Sequence, residues 1–358
     1  MPITVLVVDD SVAMQRLLSF VLEADPEIKV VGTAANPIEA RSKIKEFNPD
    51  VLTLDVEMPG MDGLQFLEKI MRLRPMPVIM ISSHTQAGAE ASVTALSEGA
   101  FCCLPKPRMD DSAALEEICA MVKQAALASD GIKRRAASAR ASAVTGVNGN
   151  SAPNGHAPSP MVTNSLDRPE LIVLGSSTGG VEALTTVFSE FPSDCPPTVV
   201  TQHMPANFTK TFANRLNQSL APTIKEAENG EELRQGHIYI APGGIGHTTV
   251  KKNGVLRAQV RSGEPRSGHM PAVDVLFESV AHSVGRKAIA AILTGMGSDG
   301  AQGMMQLRQQ GAMTIAQDEE TSLVFGMPQA AIKLGAAAKV LPIKNIAHAL
   351  FNNNSAGA

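Results

Sequence analysis

Several charged and hydroxylic residues stand at the ends of apolar runs in the first third of the chain. Asp9 and Asp10 close ITVLVVDD, Asp55 closes VLTLD, Ser82 ends VIMIS, and Lys106 sits in Pro105-Lys106-Pro107 after FCCL. If these runs are neighbouring parallel strands, the five groups meet at the carboxyl edge of the sheet, where such sheets bind ligands. Three carboxylates held together repel one another unless a cation joins them. Few hard oxygen ligands suit Mg²⁺ with several waters, and a divalent ion also balances an incoming phosphoryl group. Lys106 can then pair with one phosphoryl oxygen and the Ser82 hydroxyl can bond another. Asp55 is the expected nucleophile, since a carboxylate can carry an acyl phosphate. A solvated loop acid explains any one of these residues, but not all five together.

A second set lies further along. Gly175-Ser176-Ser177-Thr178-Gly179-Gly180 joins the apolar run LIVL to a helical pattern. Gly175-x-Ser177-x-Gly179 fits a nucleophile elbow, although a Gly-rich strand–helix turn also suits phosphate. A serine nucleophile needs a base and an acid to orient it. Of the histidines, His203 ends TVVTQ and belongs to the same edge, whereas His237, His247, His269 and His282 stand in hairpin, loop or helix contexts. Asp299, in the turn Thr294-Gly295-Met296-Gly297-Ser298-Asp299-Gly300, is the preferred acid. Asp274 opens a helical stretch and could be only a helix N-terminal acid. Backbone NH groups near Thr178 and Met296 are candidates to face an oxyanion.

The elements that must position these residues alternate. Residues 1–127 show five strand-length apolar runs separated by helical patterns such as Met14, Leu17, Leu18 and Val21. Runs without internal alternation fit strands buried on both faces, so a flavodoxin-like doubly wound sheet is expected. Residues 169–350 alternate again, interrupted by a hairpin at Asn253-Gly254. This predicts a second α/β domain, a Rossmann-like three-layer sheet with an antiparallel hairpin insertion. Residues 128–168 are rich in Ala, Ser, Asn, Gly and Pro, which reads as a flexible linker. Residues 351–358 are expected to fray.

Composition narrows the function classes. The chain has 358 residues, 31 Lys+Arg against 35 Asp+Glu, and a formal charge of −4. Nothing in that balance suggests nucleic acid, and the absence of Trp with a single Tyr argues against a base-stacking platform. Four Cys show no zinc spacing, and a reducing cytoplasm is expected. Neither a signal peptide nor a membrane span is expected.

VVDDS, LDVEMPGMDG, MISS and PKP resemble a response-regulator receiver domain over about residues 1–125. The resemblance implies that Asp55 accepts phosphate from a histidine kinase. It implies Mg²⁺ on Asp9, Asp10, Asp55 and the Glu57 carbonyl, with Ser82 and Lys106 sensing the phosphoryl group. Receivers often carry an aromatic residue three before the lysine, where this chain has Cys103.

LGSSTGG, TQHMP, IYIAPGG, VDVLF, LTGMGSDGA and FGMP resemble the catalytic domain of the CheB family, the chemotaxis protein-glutamate methylesterases, from about Leu171 to Leu341. A receiver in front repeats the family's domain order. That likeness implies hydrolysis of γ-glutamyl methyl esters on chemoreceptor cytoplasmic helices and deamidation of receptor glutamines. Ser177, His203 and Asp299 fall on the family's catalytic positions, and no cofactor is expected there. Ser176 takes a place often held by Ala. Two alternatives stay open on the sequence: a phosphorylation-controlled interaction module without turnover, and an esterase serving another signalling array.

Overall fold

The computed structural model describes residues 1–58, 62–82, 86–109, 111–129, 131–133 and 168–351. The first unit alternates β1 (Ile3–Val8), α1 (Val12–Glu23), β2 (Ile28–Ala34), α2 (Pro37–Phe47), β3 (Val51–Asp55), α3 (Gly63–Leu73), β4 (Val78–Ser82), α4 (Gln86–Ser97), β5 (Cys102–Pro105) and α5 (Ser112–Leu127). Its five strands are parallel in the order β2-β1-β3-β4-β5, the doubly wound order expected. Polar caps start the helices: Ser11, Asn36, Asp62 and Asp111 each accept backbone amides of the first turn. One apolar layer on each face seals the sheet, Leu6, Leu52 and Met80 on one side and Val5, Val51 and Ile79 on the other. This is why the strands read as unbroken apolar runs.

Ala128 and Ile132 are buried in the core of the first unit, and the Ile132 amide donates to Ala128 O. An apolar residue four positions on thus extends the helical face of α5 into the first residues of the expected linker. The linker from residue 134 to 167 and the tail from 352 onward lie outside the described residues.

The second unit contains β6 (Leu171–Ser176), α6 (Gly180–Ser189), β7 (Thr198–Gln202), α7 (Phe208–Ser219), β8 (Thr223–Glu226), β9 (His237–Ile240), the hairpin β10 (His247–Asn253) and β11 (Val255–Arg261), α8 (Val273–Ser283), β12 (Ala288–Ile292), α9 (Ala301–Gln309), β13 (Met313–Gln317), α10 (Met327–Lys333), β14 (Lys339–Leu341) and α11 (Ile343–Phe351). Seven parallel strands run in the order β14-β13-β12-β6-β7-β9-β8. From β6 the chain proceeds outward through β7 and later returns to β12 on the other side. The crevice for a ligand therefore opens beyond the ends of β6 and β12. Residues of α6, α7 and α11 cover one face, and residues of α8, α9, α10 and the hairpin cover the other. The expected three layers and antiparallel insertion are both present.

The two units touch through α4. Ala89 and Val93 are buried in the same apolar cluster as Phe208 and Phe212 of α7, and the Arg215 guanidinium donates to Thr94 Oγ1 at 2.8 Å. A buried aliphatic side chain contributes about 1.5–3 kcal/mol, against roughly 0.5–1.5 kcal/mol for a hydrogen bond. The apolar contact therefore dominates this junction.

Candidate active site

Strand ends place the three candidate residues. Ser177 follows β6, His203 follows β7, and Asp299 lies in the turn after β12. Cross-links hold these ends together. The Ser177 amide donates to Thr294 O at 3.0 Å and the His203 amide to Ser176 O at 3.1 Å. Val273, the first residue of α8, fills the space beside Gly175 and Gly300, where a Cβ at either position would collide with its side chain.

His203 Nε2 lies 2.9 Å from Asp299 Oδ2. That carboxylate also accepts the Val273 amide at 2.7 Å and, through Oδ1, the Asp274 amide at 3.0 Å. It thus sits on the positive end of α8. Burial alone would raise the Asp299 pKa, but the His203 bond and the two amides outweigh it and hold the carboxyl below its ordinary value. An ionised Asp299 accepts the Nε2 proton, leaving Nδ1 as the basic nitrogen. His203 Nδ1 is buried and has no partner among the described residues. Its ring stacks on His269, with centroids 3.7 Å apart and planes at 13°. Ser177, Thr178, His203, Met204, His269 and Met296 line one cavity of about 860 Å³. Ser177 Oγ makes no hydrogen bond to His203 here, in keeping with the looser geometry of catalytic groups before substrate binds.

The other candidates separate. His247 Nδ1 accepts the Ala272 amide, His237 Nδ1 meets Gln235 O, and His282 Nδ1 meets Glu278 O. Asp274 Oδ1 accepts the Gly303 amide and so ties α8 to α9. Among the described residues the Thr178 and Met296 amides donate no backbone or side-chain bond, and both residues border the cavity.

At the edge of the first sheet, Asp9, Asp10 and Asp55 offer carboxylate oxygens within 4.8 Å of one another. Lys106 Nζ lies 2.8 Å from Asp55 Oδ2 and 3.6 Å from Asp9 Oδ2. Burial raises the pKa of both Asp9 and Asp55, against the pull of Lys106. For Lys106 burial acts downward, but the surrounding carboxylates outweigh it and raise its pKa. Asp9 Oδ2 is buried without a hydrogen-bond donor. Hard oxygen donors, with Asp9 Oδ2 left unbonded, suit a small divalent cation. Glu57 follows β3, and its amide donates to Asp55 Oδ1 at 3.2 Å.

Ser82 Oγ receives a 2.9 Å hydrogen bond from Ser92 Oγ of α4. The Cys103 thiol donates to Ser92 O at 3.4 Å, and burial pushes that thiol up to about 12. Ser92 therefore joins the expected sensing hydroxyl to the helix that packs on the second unit.

The family model for CheB methylesterase matches residues 172–350, and that for the response regulator receiver domain matches residues 5–120. A protein-glutamate methylesterase/protein-glutamine glutaminase of Agrobacterium fabrum is 48% identical over 352 residues, covering 98% of this chain and 97% of the relative. One of the same name, numbered 1, from Caulobacter vibrioides is 49% identical over 356 residues, covering 99% and 98%.

The chain belongs to the CheB methylesterase family.

Its second unit also resembles the crystal structure of the Thermotoga maritima CheB methylesterase catalytic domain, at 41% identity and a TM-score of 0.50. That match covers 51% of this chain and 97% of the other. As in the sequence reading, the CheB fold combines two parallel sheets, the first of flavodoxin-like order. Two residues at this CheB site carried no signal alone. His269 was set aside as a loop histidine, although HMP before VDVLF places it one short turn from the helix that holds Asp299. Gln202, the last residue of β7, is buried at 3% exposure beside both Ser177 and His203. A buried glutamine at a strand's carboxyl end was the available clue.

Proposed function

We propose that this protein hydrolyses glutamate methyl esters on chemoreceptor cytoplasmic helices and deamidates receptor glutamines, under control of phosphorylation at Asp55. The observation that carries the hydrolase reading is the Asp299–His203 bond at 2.9 Å, with Nδ1 left unpartnered in a cavity shared with Ser177. Ser177 Oγ attacks the ester carbonyl while His203 Nδ1 takes its proton. Asp299 holds the imidazole and stabilises its cationic form. The Thr178 and Met296 amides face the oxyanion. Protonated His203 then gives its proton to the departing methoxide, and methanol leaves. Water, deprotonated by the same nitrogen, hydrolyses the acyl-enzyme and restores Ser177. With a glutamine, ammonia leaves in place of methanol.

Asp9, Asp10, Asp55 and the Glu57 carbonyl would hold Mg²⁺. When bound, the ion offsets the negative charge of the carboxylates and of the phosphoryl group. A histidine kinase would supply that group to Asp55, with Lys106 and Ser82 bonding its oxygens. Ser82 Oγ accepts from Ser92, so its own proton is free to bond a phosphoryl oxygen. A Ser82 hydroxyl that turns toward the phosphoryl group leaves Ser92, and the unphosphorylated arrangement then has a bond that the phosphorylated one gives up. The cavity beside Ser177 is also bordered by Cys103, Glu117 and Met121 of the first unit, which supports a receiver that restricts access until it is phosphorylated. No helix among the described residues is long and apolar enough to cross a membrane, in keeping with action in the cytoplasm.

Methanol release from methylated chemoreceptor membranes, with and without acetyl phosphate and Mg²⁺, tests this reading. Release that rises with the phosphodonor is expected. Folded protein that releases none under either condition overturns it.

A further inference from the structure

We propose that Gln202 is a positioning residue that locks the nucleophile turn to the base turn. This deepens the esterase reading and rests on it. Gln202 Nε2 donates to Ser177 O at 2.9 Å and to His203 O at 3.1 Å. Gln202 Oε1 receives the Ser176 hydroxyl at 2.6 Å. The amide orientation follows from its partners. Two backbone carbonyls can only accept, so the NH₂ group must face them and Oε1 must face the hydroxyl.

One buried side chain thus grips the carbonyls of both residues that exchange the proton. Backbone bonds join β6 to β7 only up to the Ser176–His203 contact. Beyond that point the two chains diverge into separate turns, and Gln202 is the side chain that bridges them. Ser177 O also accepts the Gly180 amide at 2.8 Å, which ties the clamp to the start of α6. The close approach explains Gly180 itself, because a Cβ there would overlap Gln202 Oε1. Ser176 supplies the hydroxyl that fixes the amide from its far side.

Proton transfer from Ser177 to His203 depends on their relative placement. A displacement of about 1 Å can cost on the order of 100-fold in rate. Gln202 touches no reacting atom, so its loss should lower turnover and leave substrate affinity alone.

The test uses the full chain. The variants are Gln202→Met, of similar length but without the amide, and Gln202→Glu, which turns a carboxylate toward the two carbonyls. Two rates are measured: methanol release from methylated receptor membranes, and labelling of Ser177 by a fluorophosphonate. Ser177→Ala sets the background. The expected result is a fall of at least about tenfold in kcat and in labelling rate, with KM within about twofold and the thermal midpoint within roughly 5 °C of the parent. A smaller fall in either rate, or a change confined to KM, overturns the proposal. So does failure of both variants to fold, which makes Gln202 a folding residue. If the parent labels but releases no methanol, the substrate reading fails while labelling still decides the clamp. If the parent does not label, both fail.

Discussion

Asp299 Oδ2 accepts from His203 Nε2 at 2.9 Å and, on the same oxygen, from the Val273 amide at 2.7 Å. The helix that supplies this amide therefore belongs to the catalytic arrangement as much as the strand ends do. It keeps the carboxylate ionised and fixes which histidine nitrogen carries hydrogen. Asp299→Asn keeps the shape but turns an NH₂ group toward Nε2 or toward the helix amides. With NH₂ facing Nε2, the proton moves to Nδ1, which can no longer take one from Ser177. A loss of about 10³–10⁴ in kcat is expected, by analogy with wrong-tautomer variants of other triads. Steady-state methanol release checks it, and a variant within tenfold of the parent would falsify the assignment of Asp299.

How much of this site could be read beforehand depended on what kind of residue each was. Ser177, His203 and Asp299 were legible because each follows an apolar run, and a parallel sheet gathers such ends at one edge. Asp299 was preferred over Asp274 as the partner of His203, but the residues alone did not show what would orient it. That is decided by α8, whose N-terminus turns the Asp274 and Val273 amides toward Asp299. Gln202 was passed over because a glutamine has no chemistry of its own to announce, and its place at a strand's carboxyl end was the sole hint. The edge strand β8, Thr223–Glu226, is four residues long with one fully buried side chain, too brief to show a period. By contrast, Asn253-Gly254 marked its hairpin correctly, since Gly254 takes a positive φ of 73° at the turn.

Mg²⁺ is expected to raise the thermal midpoint of the protein. Asp9 and Asp55 are buried beside each other, and Asp9 Oδ2 has no hydrogen-bond donor. A cation that binds only the folded state stabilises it by about 2.7 kcal/mol at 100 times its dissociation constant. Asp9→Asn should abolish most of the increase. Differential scanning fluorimetry with and without Mg²⁺ measures both, and an equal rise in the variant removes Asp9 from the ligand set.

His269 gives a pH signature in stability. Burial first, and the facing His203 second, lower its pKa to about 4, while Asp299 acts in the opposite direction. In the unfolded chain it titrates near 6.5. The folded state therefore binds fewer protons between those values, and linkage makes stability fall as pH drops from about 6.5 toward 4. This contribution is fully present above 6.5. His269→Phe keeps a ring against His203 and removes the proton. Its thermal midpoint should decline less steeply than the parent's between pH 6.5 and 5, and parallel curves would refute the assignment.

Ser92→Ala should raise activity before phosphorylation. The Ser92–Ser82 bond at 2.9 Å is buried and links β4 to α4, whose other side chains Ala89 and Val93 pack on the second unit. Under the proposed control, Ser82 turns its hydroxyl from Ser92 toward a phosphoryl group on Asp55, so that bond stabilises only the unphosphorylated arrangement. Its net worth is about 0.5–1.5 kcal/mol, which corresponds to a shift of roughly two- to tenfold in the balance between the arrangements. Basal methanol release should increase by about that factor, while release under saturating acetyl phosphate and Mg²⁺ stays the same. Cys103 also holds Ser92, but through its carbonyl, so that contact survives the substitution. Unchanged basal release with a normal phosphorylated rate would show that α4 receives its signal by another route.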